Sequence, residues 1–475
     1  MSAPPSLSTA SIALNRFGLG ARPGEAPPAD PKKWLFDQFE AFDAEPSGFA
    51  ALPDAGQVLQ TYYRDKRALR RSQSADKKPA DSAKDKQQRR HAGRELRALF
   101  QAGVDARADS ALATNAPFVE RMVHFWANHF CVSADNARTT AYVAQYERDA
   151  IRPHVLGRFE NMLVAVEQHP AMLYYLNQAN SIGPNSPAAK RADRRNAARR
   201  VGLNENLGRE AMELHTLGVR SGYTQFDVTE FARALTGWTV ANRRRGRDRG
   251  GNEGQHGGFV FRPQFHEPGT RTIMGKSYAE PEQQQALAAL GDFARSPRTA
   301  DHIATKLARH FAGDDPPPAL VARLSETFRR SGGSLPDLYR TLIESPEPWA
   351  PRPLKFKTPW EWTISAWRGL GRRQAGNTNV YAIQNQLGQP TWKPGSPAGW
   401  DDTAASWAAP DALYRRVDFA ARMAGAVGDR VDAREVAPTL LPGALSSATS
   451  EQLARAESPA TALALLLVSP DFLRR

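Results

Sequence analysis

Residues 204–218 read Asn-Glu-Asn-Leu-Gly-Arg-Glu-Ala-Met-Glu-Leu-His-Thr-Leu-Gly, and residues 223–239 read Tyr-Thr-Gln-Phe-Asp-Val-Thr-Glu-Phe-Ala-Arg-Ala-Leu-Thr-Gly-Trp-Thr. Both halves carry a helical period. With a rotation of ~100° per residue, Leu207, Ala211 and Leu214 fall on one stripe, Glu210 lies ~60° to one side and His215 ~80° to the other. Glu213 lies a further ~60° beyond Glu210, so the two carboxylates share a side. Gly218 stands where a C′ glycine ends a helix. In the second half Thr224 and Asp227 have capping-box spacing, and Val228, Phe231, Ala232 and Leu235 form a buried stripe at i, i+3, i+4 and i+7.

Working outward, the same period recurs over 8–17, 31–42, 56–71 (where it dissolves into the hydrophilic stretch 72–90), 94–103, 115–132, 137–152, 158–166, 169–178, 282–295, 299–312, 318–330, 334–344, 358–370, 378–387, 410–426 and 459–468. Only Phe259–Phe261 and Thr272–Met274, flanked by Gly and Pro, suit a small hairpin, with His266 in its loop. No run of alternating strands and no fixed repeat is present. The expected fold is mainly α, a multi-helix globular array with one short β-hairpin and disordered basic inserts. The expected divisions are an N-terminal helical segment over 1–63, a basic insert over 64–93, a central helical domain over 94–345 with inserts at 184–200 and 242–258, and a C-terminal helical region over 346–475.

The 475 residues carry a net charge of +13, unevenly spread. Residues 64–97, 190–200 and 243–249 together carry +17, so the rest of the chain nets −4. Charge runs of this kind are solvated segments, and no helix-turn-helix, ribonucleoprotein or zinc-finger wording accompanies them, which argues against a dedicated nucleic-acid role. The longest apolar run, 462–468, is far shorter than the ~20 residues of a spanning helix. No signal-peptide pattern opens the chain, so the default expectation is cytoplasmic, with carrier-assisted export to the envelope as the alternative. The single cysteine, Cys131, excludes an internal disulfide and reads as a buried thiol.

Several further stretches complete a family resemblance. Asn-Arg-Phe-Gly-Leu-Gly at 15–20, His-Phe-Trp-Ala-Asn-His-Phe at 124–130, His-Pro-Ala-Met-Leu at 169–173, Gly-Pro-Asn-Ser at 183–186, Arg-His-Phe at 309–311 and Pro-Ala-Gly-Trp at 397–400 stand in that order around the 204–239 segment. In this wording the chain resembles the bacterial family described as domain of unknown function 1800. It departs at Gly208 and Ala211, where the family more often has larger or better helix-forming residues, and at Glu267, where an aspartate after the histidine is usual. Members of the resembled family are often encoded beside a second family related to alkaline phosphatases and sulfatases. That association implies a partner in envelope or extracellular polymer handling.

The polar residues support two classes of function. As an enzyme, the chain would be hydrolytic, with or without the help of a single divalent metal. Glu210 or Glu213 would then serve as base or ligand, His215 as proton carrier, Asn128 as substrate-orienting amide, and His129 and His266 as metal ligands. Arg121, His124 and Asn128 share one face of their helix, and Phe125, His129 and Val132 another. Glu210 with Glu213 or Glu267 could also form the acid pair of a glycosidase. Against this, Arg209 and Glu213 make an ordinary i, i+4 pair, and His215 could be a satisfied core histidine. No Walker loop, Gly-x-Ser-x-Gly elbow, His-Glu-x-x-His or dinucleotide fingerprint is present. Trp392, Trp400 and Trp407 suit a core edge better than a stacking platform for sugars, and Lys355 and Lys357 suit loop or anion-contact roles equally. As a non-catalytic protein, the chain would be an accessory of the phosphatase- or sulfatase-like partner.

Overall fold

Ser-Pro and Asp-Pro pairs start many of the helices, because the side-chain oxygen accepts from a free N–H of the first turn and proline needs none. Asp30 caps Pro31–Ala41, Ser296 caps Pro297–Ala312, and Ser458 caps Pro459–Val468 in this way. The computed structural model describes residues 7–75, 93–194, 202–241 and 256–475. Helix accounts for 64% of the chain, and the β structure among the described residues is two antiparallel two-stranded hairpins. No helix among them is long and apolar enough to cross a membrane.

One connected hydrophobic cluster runs from Ile12 to Leu473, with Trp126, Trp238, Trp362 and Trp367 as its largest fully buried apolar side chains. The N-terminal turn enters this core through Phe17, whose ring lies 5.3 Å from Phe311 and 4.8 Å from Trp349. Pro117–His129 lies at the centre and is buried along nearly its whole length. Around it pack Ile12–Phe17, Pro31–Ala41, Arg94–Ala113 and Glu147–Ile151, and Pro410–Val427 lies against Pro459–Val468 at the C-terminal end.

Three places differ from the expectation. The helix expected over 56–71 spans Ala55–Ala75, into the expected 64–93 insert, where Arg64 pairs with Glu95 at 2.6 Å and Asp65 accepts the Leu96 N–H at 2.8 Å. The 184–200 segment likewise contains a helix, Pro187–Arg194. The interiors of the three basic inserts, at 76–92, 195–201 and 242–255, lie outside the described residues. The expected hairpin is two hairpins: β2 (Phe259–Phe261) pairs with β1 (Trp238–Val240), and β3 (Arg271–Ile273) with β4 (Lys276–Tyr278). Met274 and Gly275, with φ of 51° and 79°, make the tight two-residue turn that folds β3 onto β4 rather than onto β2. His266 therefore sits in the link between hairpins.

The opening segment also departs from ideal helix. Asn206–Glu210 is α-helical, but Ala211–Thr216 is a π-turn, closed by the Leu217 N–H on the Met212 carbonyl at 2.9 Å. A π-turn holds one residue more than an α-turn and rotates everything after it. Leu214, expected in the buried stripe, is turned half out, and His215, expected at its flank, is buried.

Candidate functional site

Two imidazoles hold the π-turn. His129 Nε2 donates to the His215 carbonyl at 3.1 Å, and His302 Nε2 donates to the Leu214 carbonyl at 3.2 Å. The π geometry leaves these carbonyls needing donors, and a ring N–H from each neighbouring helix supplies them. His215 itself turns inward, where Nδ1 donates to Glu167 Oε1 at 2.6 Å in a pair sealed from solvent. Glu213 accepts the Tyr223 hydroxyl at 2.8 Å. Glu210 is half-buried, makes no hydrogen bond among the described residues, and its carboxyl is raised by that burial.

Glu210, Glu213 and His215 thus share one stretch of helix without converging on a common space. His266 lies elsewhere, with Nδ1 donating to the Thr236 carbonyl at 2.9 Å. Glu267 accepts the Asn185 N–H at 2.7 Å and its side-chain amide at 2.6 Å, a loop-pinning role that takes it out of any acid pair with Glu210. His129 and His266, expected as metal ligands, each spend a ring nitrogen on the backbone of a different element. Among the described residues no group of three or more His, Cys, Asp or Glu side chains could hold a metal ion.

A cavity opens beside the π-turn and its two imidazoles, and Leu214, His129 and His302 line part of it. Its volume is about 370 Å³, and it lies between Pro117–His129, Pro297–Ala312 and the irregular stretch around 389–403. Arg121, His124 and Asn128, expected on one face, line it together, with Phe125 and His129 beside them. Asn128 does not face a substrate freely: its amide donates to the Trp400 carbonyl at 2.9 Å and accepts the Trp400 N–H at 2.8 Å. Gly399, at φ 82°, lets that loop close, since a Cβ there would stand 2.3 Å from the Asn128 carbonyl oxygen. Asn128 therefore positions Trp400, a half-buried wall of the cavity. Trp392 and Trp407 are core-edge residues as expected, their indole N–H groups donating to Glu147 at 3.1 Å and to the Asp401 carbonyl at 2.8 Å. Cys131 donates to the Ser396 and Pro397 carbonyls, and burial pushes its thiol up to about 12, so it is inert at neutral pH.

The opposite wall comes from residues that helical reading alone did not single out. His302, Lys306 and His310 follow one another at i, i+4 and i+8 on Pro297–Ala312, so all three project from one face into the cavity. That spacing is present in the sequence and was the available signal. His310 Nδ1 donates to Asp402 Oδ2 at 2.7 Å, which fixes the tautomer and leaves Nε2 as an acceptor, buried and without a partner. Burial would raise the Asp402 carboxyl, but His310 and Lys355 outweigh it and hold it far below the ordinary range. Lys355 bridges Asp314 at 2.6 Å and Asp402 at 3.2 Å, while Lys357 is sealed beneath the cavity over the Phe472 ring. Arg121 binds Glu361 and also donates to the Gly18 carbonyl at 2.6 Å, which ties the Asn15–Gly20 motif to this wall.

Comparison with known proteins follows the same residues. The family model described as Protein of unknown function (DUF1800) matches residues 12–474. No curated protein and no solved structure matches the chain. A match from the first buried turn to the last helix covers every element that builds the cavity, and the chain belongs to the DUF1800 family.

Proposed function

We propose that this protein is a hydrolase whose reaction takes place in the cavity between Pro117–His129 and Pro297–Ala312, with His310 as general base and Asp402 as the group that orients it. One observation carries the reading: the His310 ring is fixed through Nδ1 on Asp402 at 2.7 Å, while Nε2 is buried without a protein partner. Burial pushes the His310 pKa down, so the imidazole is neutral at pH 7 and able to take a proton from water. As it does so the water oxygen bonds to an acyl or phosphoryl centre, and the proton passes on to the leaving group. The Asp402 carboxylate stabilises the imidazolium formed in between. Arg121, Lys306 and Arg309 give the cavity wall a positive field suited to the negative charge that develops on the reacting oxygen.

The test is hydrolysis of a p-nitrophenyl ester and phosphate series by the parent, His310→Gln and Asp402→Asn. Both variants should lose about 10²–10⁴ in rate with circular dichroism unchanged. The parent rate should be flat above neutrality and fall only in acid, since protonation removes the base. A His310→Gln protein that keeps the parent rate would overturn the assignment.

A second reading, a non-catalytic accessory of an alkaline phosphatase- or sulfatase-like partner, is supported by a different observation. Tyr414 and Val417 are 73% and 51% exposed one turn apart on Pro410–Val427. Under that reading Tyr414→Glu abolishes co-purification with the partner, and His310→Gln leaves it intact.

A further inference from the structure

The cavity wall holds four non-histidine cations. Arg107 pairs with Glu147 at 3.4 Å, Arg121 pairs with Glu361, and Arg309 donates to the Asp314 carbonyl at 3.2 Å. Lys306 differs: among the described residues it has no carboxylate partner and no hydrogen bond. Lys306 is half-buried in the cavity wall, and Asp402, the carboxylate that acts on it, is already held by His310 and Lys355, so the lysine's charge is uncommitted and open to an anionic ligand.

The neighbouring imidazoles define what else that ligand must offer. His129 Nε2 and His310 Nδ1 are committed as donors, so His129 Nδ1 and His310 Nε2 are acceptors, both buried and without partners. His124 is the reverse: its Nδ1 accepts the Trp360 indole N–H at 3.3 Å, so its Nε2 carries the proton and faces Glu120 Oε1 at 3.7 Å. Two unpaired acceptors in the same cavity as an uncommitted cation call for an anion that also carries hydroxyl groups. Trp360 and Trp400 supply apolar wall on which a ring could rest, and about 370 Å³ suits a ligand of one or two rings.

We propose that the cavity binds a hydroxylated oxyanion, an acidic sugar or sugar phosphate, with its carboxylate or phosphate on Lys306 and its hydroxyls on His129 and His310. Lys306 and His310 are one helical turn apart, about 6 Å along the axis. The anion therefore anchors the ligand so that the bond next to it lies at His310. This deepens the hydrolase reading and rests on the same cavity, but it is tested by binding, without turnover.

The experiment is isothermal titration calorimetry at pH 7 with glucuronate and glucose 6-phosphate, and with glucose and inorganic phosphate as controls, on the parent, Lys306→Met and His310→Gln. At least one acidic sugar should bind the parent more than tenfold tighter than glucose and than inorganic phosphate, and the tighter of the two identifies the anion. Lys306→Met should lose that preference for charge, while His310→Gln keeps it although it no longer hydrolyses ester. Thermal melting of Lys306→Met guards against misfolding, because removal of a half-buried cation that makes no hydrogen bond should not lower the melting temperature. Binding of neither acidic sugar, equal binding by inorganic phosphate, or an undiminished charge preference in folded Lys306→Met would each overturn the proposal. Loss of hydrolysis in His310→Gln alongside any of these would leave the hydrolase reading standing by itself.

Discussion

The Lys306 ammonium stands among His129, His302, Arg309, Cys131 and the more distant Asp402, and burial pushes its pKa down to about 8 from 10.5. The folded chain therefore holds this proton less tightly than the unfolded chain. Between those two values the unfolded state binds more protons, so stability rises with pH across that window, and below it the destabilisation is fully present. Lys306→Met should melt higher than the parent at pH 7 and lack the parent's gain between pH 8 and 10.5. Differential scanning calorimetry across that range checks it; an equal melting temperature at pH 7 would mean that the lysine has a counter-charge in the free protein. At this scale the sequence was read in part. Asn128 and His129 do line the cavity, but Glu210, Glu213 and His215 drew attention by their density alone. What decides a residue's chemistry here is which ring nitrogen is already spent, and no helical wheel contains that. The His302, Lys306, His310 stripe was visible as spacing, yet without the third dimension it reads as the polar side of an amphipathic helix.

The π-turn at Ala211–Thr216 is an element held open from outside. Its Leu214 and His215 carbonyls depend on His302 and His129, two side chains from different helices. Replacing His129 with leucine removes the donor and leaves a buried carbonyl unsatisfied, which costs roughly 1–3 kcal/mol. His129→Gln retains a donor and should recover part of that loss. Urea unfolding of the three proteins distinguishes this from a packing effect, since leucine and glutamine are of similar size; equal stability of both variants would remove the hydrogen bond from the explanation. Element boundaries were legible wherever local chemistry sets them. The Thr224–Asp227 capping box, the Gly218 stop at φ 91° and the Ser458–Pro459 start are all present as read. The inserted residue of a π-turn breaks no composition rule, so counting at 3.6 per turn passed over it. Strand pairing failed for a related reason: β1 finds β2 across 18 residues of sequence, 241–258, and only the Met274–Gly275 turn is local.

Across the whole molecule, distant segments meet on one buried carboxylate. Glu361 caps its own helix through the Thr358 N–H at 2.9 Å, and also binds Arg121 from the central helix and Arg475 from the last residue at 3.0 Å. Arg475 in turn donates to the His310 carbonyl at 3.0 Å, so the chain end, the central helix and the cavity wall form one charged network. Two stretches of the family wording meet in this network: Asn15–Gly20, whose Gly18 carbonyl accepts from Arg121, and Arg309–Phe311, whose His310 carbonyl accepts from Arg475. Burial alone would raise the Glu361 carboxyl, but Arg475 and Arg121 outweigh it and hold it far below its ordinary value. Its contribution to stability is then fully present above the unfolded carboxylate range near ~4 and is lost as pH falls through the depressed folded value. Glu361→Gln removes the partner of two buried guanidinium groups and should cost about 3–5 kcal/mol at pH 7. The gap between parent and variant should narrow steadily below pH 4, because the parent's carboxylate advantage fades while the glutamine has nothing to lose. Urea unfolding at pH 7 and pH 3 measures both quantities. A variant within about 0.5 kcal/mol of the parent at pH 7 would show that the three segments are held by apolar packing alone, and that the charges serve the cavity rather than the fold.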